Sequence, residues 1–173
     1  MAKTSKSAWG IDIGNSTFKA LKLAVGPEGV EVQDFVLYQY DKIISPSQVE
    51  PQERNELINS TLNRFLAERD LRGSAVVVSV PGQSSFARFI KLPPVESKRI
   101  PELVRFEAIQ QIPFDIDEVE WDWQTFQNPN SPEVEVGIFA IKRDLVKNAL
   151  QPFASTHCDV DVVQMAPMAL YNF

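Results

Sequence analysis

Residues 10–19 read Gly-Ile-Asp-Ile-Gly-Asn-Ser-Thr-Phe-Lys, which places two apolar arms around a run of turn-forming residues. This pattern predicts a β-hairpin over residues 8–23, because glycine, asparagine and serine favour tight turns and the flanking residues favour strands. A second turn signal, Gly-Pro-Glu-Gly at residues 26–29, ends the hairpin, and residues 30–40 then supply a third strand. The chain therefore opens with a three-strand meander.

An amphipathic helix and a buried strand are predicted after the meander. Apolar residues between Pro51 and Leu71 recur on one helical face, Pro51 suits the first turn and Gly73 suits the end. Residues 75–80 read Ala-Val-Val-Val-Ser-Val, a nearly continuous β-branched run. Such a run predicts an interior, parallel strand that is buried on both faces.

The pattern restarts after residue 83, and its elements suggest a small α+β unit inserted into an α/β domain. The predicted elements are strand 86–92, helix 100–112, strands 119–126 and 134–141, a helix after Asp144 that Pro152 kinks or ends early, strand 160–165 and a helix beginning at Pro167. We therefore predict three segments. Residues 1–83 form the first part of the α/β domain, residues 84–158 form the inserted subdomain, and residues 159–173 return to the first domain, which we expect to be truncated.

Composition and charge exclude several classes of function. The 17 lysine and arginine residues against 23 aspartate and glutamate residues give a net charge of −6, which argues against nucleic acid or an anionic membrane as a partner. Cys158 is the only cysteine and His157 the only histidine, so a disulfide framework and a Cys/His zinc cluster are excluded. These two adjacent residues are also poorly placed to act as a nucleophile pair.

The N-terminus lacks the apolar run of a signal peptide, and no stretch is apolar enough to span a bilayer. We expect a cytoplasmic protein without direct membrane insertion.

The hairpin tip carries groups that hold phosphate in many proteins. Six residues are candidates for binding a phosphate and its metal, namely Asp12, Gly14, Asn15, Ser16, Thr17 and Lys19. Gly14 permits a turn with an unusual φ angle, and the three residues after it offer backbone amides and hydroxyls. The Lys19 ammonium would neutralise phosphate, and the Asp12 carboxylate would hold Mg²⁺ through water. The alternative is an ordinary hairpin whose Asn-Ser-Thr tip simply favours a turn.

The helix predicted at residues 100–112 has apolar residues on two sides. One arc contains four of them, namely Leu103, Val104, Ala108 and Ile112. Phe106 and Ile109 lie on the other side, and a single face cannot bury both sets. Either the helix packs on two sides within the fold, or Phe106 and Ile109 form a surface for a partner.

Two features between residues 115 and 123 have structural interpretations. The acidic residues from Asp115 to Asp122 alternate with apolar ones, which is typical of the solvent face of a strand rather than of a metal site. Trp121 and Trp123 share one face of the same strand, and we interpret them as core or interface aromatics.

The hairpin resembles the first phosphate-binding hairpin of the actin, hexokinase and Hsp70 superfamily, in which a lysine follows the aspartate by seven residues, as Lys19 follows Asp12. A closer resemblance, to the PilM family of type IV pilus assembly, covers essentially the whole chain. It is carried by four segments: the opening at residues 9–19, a stretch at residues 77–93, the Phe-Glu-Ala-Ile-Gln-Gln-Ile-Pro-Phe signature at residues 106–114, and the returning strand at residues 161–170. The resemblance implies an actin-like (ribonuclease H-like) α/β half-domain with an inserted small α+β subdomain.

The same resemblance implies ATP and Mg as cofactors of a longer protein. In actin-like ATPases two lobes close around the nucleotide, and the second phosphate hairpin and the adenosine motif belong to the other lobe. We expect that lobe to lie C-terminal to Phe173, so that the six hairpin residues face solvent in this chain. The 173-residue chain alone is therefore expected to bind Mg-ATP poorly and to show no measurable ATP hydrolysis.

The resemblance also implies a partner. In the PilM family the short cytoplasmic tail of the inner-membrane protein PilN docks in a groove between the inserted subdomain and the main domain. By this resemblance the chain is a cytoplasmic scaffold at the inner membrane. It would bind a PilN-like tail through Phe106 and Ile109, alongside other pilus inner-membrane components. Two alternatives stay open: a fragment of an actin-fold ATPase or kinase, and a scaffold related to FtsA or to type II secretion.

Overall fold

The computed structural model describes residues 6–126, 132–156 and 158–172. Within these ranges the chain forms strands β1 (Ser7–Ile13), β2 (Thr17–Gly26), β3 (Gly29–Gln39), β4 (Ala75–Val80), β5 (Ser85–Leu92), β6 (Val119–Phe126), β7 (Val134–Lys142) and β8 (Val162–Met165). Its helices are α1 (Pro51–Glu68), α2 (Ile100–Gln111), α3 (Arg143–Ala154) and α4 (Ala166–Tyr171). The chain divides into two compact units. The first comprises Met1–Val80 and Asn148–Phe173, and the second comprises Pro81–Lys147.

The first unit is built on a five-stranded sheet with the order β3-β2-β1-β4-β8. The predicted meander is confirmed, since β1 pairs antiparallel with β2 and β2 pairs antiparallel with β3. The predicted interior parallel strand is also confirmed, because β4 lies between β1 and β8 and runs parallel to both. One face of β4 is buried through Val76, Val78 and Val80, whereas its other face is only half-buried.

Helix α1 covers the buried face of this sheet. Its residues Ile58, Leu62 and Phe65 recur at helical spacing and are buried. The Phe65 ring lies edge-on to Trp9 of β1, with ring centroids 5.1 Å apart, and 5.3 Å from the ring of Phe18 of β2. Aromatic contacts of this kind add to the burial that holds helix and sheet together. The helix ends at Glu68, before the predicted Leu71, because the chain is already extended at Arg69.

The second unit contains a three-stranded antiparallel sheet with the order β5-β7-β6 and the helix α2. Its core combines Val104 and Ala108 of α2 with Val136, Ile138 and Ala140 of β7, all of which are buried. The β7 residues alternate along the strand, so one sheet face meets the helix. The other face carries three neighbouring phenylalanines, Phe89, Phe126 and Phe139.

The structure differs from the sequence prediction at α3. The helix continues to Ala154, so Pro152 does not end it early. The proline gives up one backbone hydrogen bond, the one that an N–H at this position would donate to the Asn148 carbonyl, while its ring is buried. The predicted return to the first domain at residue 159 also differs from the division in the structure, which assigns Asn148 and all later residues to the first unit. The reason is packing, since Phe153 and Cys158 are buried in the core of the first unit.

Candidate functional site

The hairpin tip between β1 and β2 is closed by a backbone hydrogen bond. The Gly14 amide donates to the Thr17 carbonyl at 3.0 Å. The sequence prediction of an unusual φ angle at Gly14 is wrong, because the positive φ values among the described residues are those of Gly29 and Gly73. Glycine fits this position for another reason: a Cβ atom on Gly14 would lie 3.0 Å from the Thr17 carbonyl oxygen.

The tip is also fixed from outside by the segment after β3. The Ile44 amide donates to the Asn15 carbonyl at 2.7 Å, and the Tyr40 amide donates to the Ser16 carbonyl at 2.9 Å. Both Ile44 and Tyr40 are buried, so they anchor this segment in the core. Asn15 and Ser16 are themselves exposed. The tip is therefore held in one shape while its side chains face solvent.

Asp12 and Lys19 lie side by side at the base of the tip. They are paired residues of β1 and β2, and the Lys19 Nζ atom is 3.3 Å from Asp12 Oδ2. The other carboxylate oxygen, Oδ1, accepts a hydrogen bond of 2.6 Å from Ser79 Oγ on β4. The structure thus brings Asp12 and Lys19 together as the sequence predicted and adds Ser79. The signal for Ser79 was present in the sequence, because it is the one polar residue in the Val-rich run of β4.

These side chains form a polar row across the sheet face that points away from α1. Ser79 pairs in register with Gln164 of β8, which extends the row by one strand. The next row toward the other end of the sheet is apolar, with Leu21 paired to Phe35 and Gly10 beside Val77. A cavity of about 370 Å³ lies over both rows. Polar groups at the carboxyl ends of parallel strands are a common position for ligand binding in α/β sheets.

The chemistry of this row fits a phosphate with a divalent cation. Lys19 offers an ammonium, Asp12 offers carboxylate oxygens, and the tip offers the Ser16 and Thr17 hydroxyls. The Lys19–Asp12 ion pair is about half exposed on both sides, so separating it to admit a ligand costs at most about 1 kcal/mol. Among the described residues there is no group of three or more His, Cys, Asp or Glu side chains placed to hold a metal ion.

Helix α2 presents the second candidate site. Val104 and Ala108 are fully buried in the core of the second unit, whereas Phe106 is 61% exposed and Ile109 is 57% exposed. Packing of α2 on both sides within the fold, one of the two alternatives that the sequence left open, is therefore wrong. Phe106 and Ile109 lie one helical turn apart and form an uncovered apolar surface.

The acidic and tryptophan-rich strand β6 has the structure that its sequence indicated. Glu120 and Asp122 are exposed, and Trp121 and Trp123 pack against the core of the second unit. Asp115 accepts a hydrogen bond from the Asp117 amide at 3.0 Å and so caps the short turn before the strand. The strand therefore has an acidic face toward solvent and an aromatic face toward the core.

A wider cavity of about 940 Å³ in the first unit was not predicted. It is lined by the segment after α1 and by residues around Cys158. The two arginines that line this cavity already form ion pairs: Arg69 with Asp34 and Arg72 with Asp70, each at 2.7 Å. Burial raises the pKa of the Cys158 thiol, which disfavours the nucleophilic thiolate. His157 lies outside the described residues.

No helix in the described part of the chain is long and apolar enough to cross a membrane.

Comparison with known proteins identifies one family over nearly the whole chain. The family described as type IV pilus assembly protein PilM matches residues 10–172. No curated protein matches the sequence.

The solved structures that are similar to this chain include the following three. A chain of the PilM–PilN type IV pilus biogenesis complex superimposes with a TM-score of 0.71 at 23% identity, over 95% of this chain and 49% of that one. The cytoplasmic domain of EpsL, an inner-membrane component of the type II secretion system of Vibrio cholerae, gives a TM-score of 0.49 at 13% identity, over 92% of this chain and 56% of that one. A Bacteroides thetaiotaomicron protein with an actin-like ATPase fold gives 0.40 at 13% identity, over 98% of this chain and 56% of that one. The predicted α/β fold is confirmed, since this chain has the fold of the matching part of a PilM–PilN complex chain, and it spans about half the length of that chain.

Proposed function

The chain belongs to the PilM family of type IV pilus assembly proteins, and from this premise we propose that it is an assembly scaffold that docks the cytoplasmic tail of a PilN-like inner-membrane protein. The observation that carries the proposal is the pair Phe106 and Ile109 on α2, which are more than half exposed while the opposite side of the helix is buried. Similarity to a chain of the PilM–PilN complex supports the class of partner.

The chemistry of the α2 surface favours an apolar segment of the partner. An aromatic ring and a branched aliphatic side chain one turn apart gain free energy when a partner removes them from water, by about 1.5–3 kcal/mol for each fully buried side chain. The charged side chains of α2 are of both signs, with Glu102 and Glu107 against Arg105. The surface therefore selects the tail through apolar contacts rather than through net charge, and the expected binding mode is an apolar peptide laid against a helix.

The location follows from the partner in this proposal. The chain stays in the cytoplasm and is held at the inner membrane through the PilN-like protein, together with other inner-membrane components of the pilus. Neither nucleic acid nor lipid is expected to bind directly, since the chain carries a net charge of −6.

A titration tests this docking. A peptide copied from the tail of the PilN-like protein encoded in the same genome is added to the chain, and binding is followed by heat or by tryptophan fluorescence. Saturable binding that is lost when Phe106 and Ile109 are both changed to alanine supports the docking surface. Absence of binding by the folded chain counts against it.

A second proposal concerns ATP and Mg in a longer protein that contains this chain. It is favoured by one observation, the Lys19 ammonium 3.3 Å from the Asp12 carboxylate beside a hairpin tip of fixed shape. Lys19 would contact a phosphate and Asp12 would hold Mg²⁺ through water, with Gly14, Asn15, Ser16 and Thr17 forming the tip. The bound nucleotide would supply the phosphate oxygens that complete the cation's shell.

The nucleotide proposal is tested on the longer protein by comparing Mg-ATP binding before and after Lys19→Gln. The matched control is Lys22→Gln, on the same strand but outside the polar row. Loss of binding with the first variant alone supports the site. Equal binding by all three proteins contradicts it.

A further inference from the structure

Strand β3 is the edge of the sheet in the first unit. Among the described residues it pairs with β2 alone, and at 11 residues it is a long strand. An edge strand presents a row of open backbone N–H and C=O groups that a further strand can pair with. Natural proteins commonly protect such edges with lysine, proline or β-bulges. Residues 30–39 read Val-Glu-Val-Gln-Asp-Phe-Val-Leu-Tyr-Gln and contain no lysine, arginine or proline, and the one irregularity in the pairing of β3 with β2 lies at Gln33, which leaves residues 34–38 regular.

A β-bulge gathers the apolar residues of β3 on one face. Lys22 pairs with Asp34 but Leu23 pairs with Val32, so Gln33 is the extra residue. Without the bulge, strict alternation would turn Val32 toward the face opposite Phe35. With the bulge, Val32 lies on the same sheet face as Phe35 and Leu37. This is the face that points away from α1, here called the outer face, and all three side chains are exposed on it.

The centre of β3 is complementary to itself in an antiparallel arrangement. If Val36 of one copy lies opposite Val36 of another, Phe35 of each copy faces Leu37 of the other, and the outer faces of both sheets point the same way. Phe35 is 70% exposed and Leu37 is 60% exposed, so both are free to form these cross-strand pairs. Apolar cross-strand pairs are the contacts that stabilise antiparallel sheets.

At the centre of this pairing the charged residues do not oppose contact. In the same register Asp34 lies opposite Tyr38. Asp34 is already paired with Arg69 at 2.7 Å, and the Tyr38 hydroxyl donates to Glu68. No two like charges therefore face each other between Asp34 and Tyr38. A two-fold contact in which the same patch meets itself is also the commonest geometry of protein homodimers.

We propose that two copies of this chain associate through antiparallel pairing of their β3 strands, forming one continuous sheet with five strands from each copy. The contact consists of one strand edge with the Phe35 and Leu37 side chains. Its area is at the low end for specific interfaces, below about 1,200 Å² in total. The dimer is accordingly reversible and depends on concentration.

The oligomeric state tests the proposal. Sedimentation or light scattering on the full chain, over a wide range of concentrations, is expected to show a rise from the monomer mass toward twice that mass. Leu37→Lys is expected to weaken the dimer at least about tenfold, because it introduces a charge on the paired edge. Val25→Lys is the control, since Val25 is exposed on β2 but is not on the edge.

Cross-linking tests the register. Two variants are made in a chain that also carries Cys158→Ser. One has Phe35→Cys and the other has Leu37→Cys, which are mild changes at exposed positions. A mixture of the two is expected to form a disulfide in much higher yield than either variant alone, because opposed residues lie about 5 Å apart and a disulfide requires that proximity. Any one of three results overturns the proposal. The chain stays monomeric at all concentrations, Val25→Lys weakens the dimer as much as Leu37→Lys does, or the mixture and the two single variants cross-link equally.

Discussion

Ser79 of β4 donates a hydrogen bond of 2.6 Å to the Asp12 carboxylate of β1. The two residues are 67 positions apart in the chain and meet because β1 and β4 are parallel neighbours in the sheet. The bond holds one carboxylate oxygen of Asp12, so the second oxygen is directed to Lys19. The orientation of the proposed cation ligand therefore depends on a strand that is remote from the hairpin in sequence.

Removing the Ser79 hydroxyl is expected to lower the stability of the sheet and to free the Asp12 carboxylate to change its orientation. Ser79→Ala should lower the free energy of unfolding by about 1 kcal/mol, the usual net contribution of a hydrogen bond whose acceptor can still reach water. Urea denaturation measures the change. Ser79→Thr keeps the hydroxyl and is expected to retain most of the stability. Equal stability of Ser79→Ala and the parent chain would mean that the bond contributes nothing.

Removing the hydroxyl of Tyr40 is expected to stabilise the chain, in contrast to removing the hydroxyl of Ser79. Its hydroxyl is buried and has no hydrogen-bond partner among the described residues. A buried polar group without a partner lowers stability, so Tyr40→Phe is expected to raise the free energy of unfolding by about 1 kcal/mol at neutral pH. The contrasting variant is Tyr38→Phe, which removes a hydroxyl that donates to Glu68 and should not stabilise the chain. Destabilisation by Tyr40→Phe would contradict this interpretation of Tyr40.

The same tyrosine predicts a pH dependence. Burial raises the pKa of Tyr40 from 10.0 to about 12 in the folded chain. Because the pKa is higher in the folded chain, the folded state holds the hydroxyl proton more tightly than the unfolded state does. The stability that comes from this difference is complete below about pH 10 and is lost as the pH rises toward about 12. Unfolding of the parent chain and of Tyr40→Phe, measured at several pH values across this range, is expected to show a steeper loss for the parent. Parallel curves would argue against a buried hydroxyl.

A side chain at Gly137 of β7 is expected to displace the neighbouring phenylalanine rings. A Cβ atom there would lie 2.8 Å from the Phe139 ring and 2.9 Å from the Phe126 ring. Gly137→Ala should therefore destabilise the chain by about 1–3 kcal/mol through overpacking. Gly10→Ala is the matched control in a strand of the first unit, since the nearest atom to its Cβ would be 4.0 Å away. Thermal denaturation of both variants decides the point, and equal stability of the two would contradict it.

The order of elements was largely predictable from local patterns. The turn residues after Ile13, the helical spacing in α1 and the β-branched run of β4 each indicate one element without knowledge of the rest of the chain. The end of α1 and the domain boundary in α3 were not predicted accurately. The boundary depends on packing, since Phe153 belongs to the core of the first unit although it follows residues of the second.

The candidate site was only partly predictable. The pairing of Asp12 with Lys19 follows from the hairpin, because the two positions face each other across one turn. The contact with Ser79 depends on the parallel pairing of β1 and β4, and the sequence does not specify which residues of two distant strands are neighbours. The exposure of Phe106 and Ile109 also depended on the fold, since a helix with two apolar sides is compatible with burial of either or both.

The docking role of the α2 surface is decided by the dissociation constant of the PilN-like tail peptide. Three forms of the chain are compared by calorimetric titration: the parent, the double variant Phe106→Ala and Ile109→Ala, and Phe89→Ala. Phe89 is the control because it is 64% exposed in the same unit but lies on the sheet face away from α2.

We expect saturable binding to the parent and to Phe89→Ala, and binding at least about tenfold weaker to the double variant, because truncated apolar anchors at the centre of an interface cost more than about 1 kcal/mol each. Circular dichroism confirms that each form is folded. Equal affinity of all three folded forms, or no binding to the parent, would show that Phe106 and Ile109 do not dock the tail.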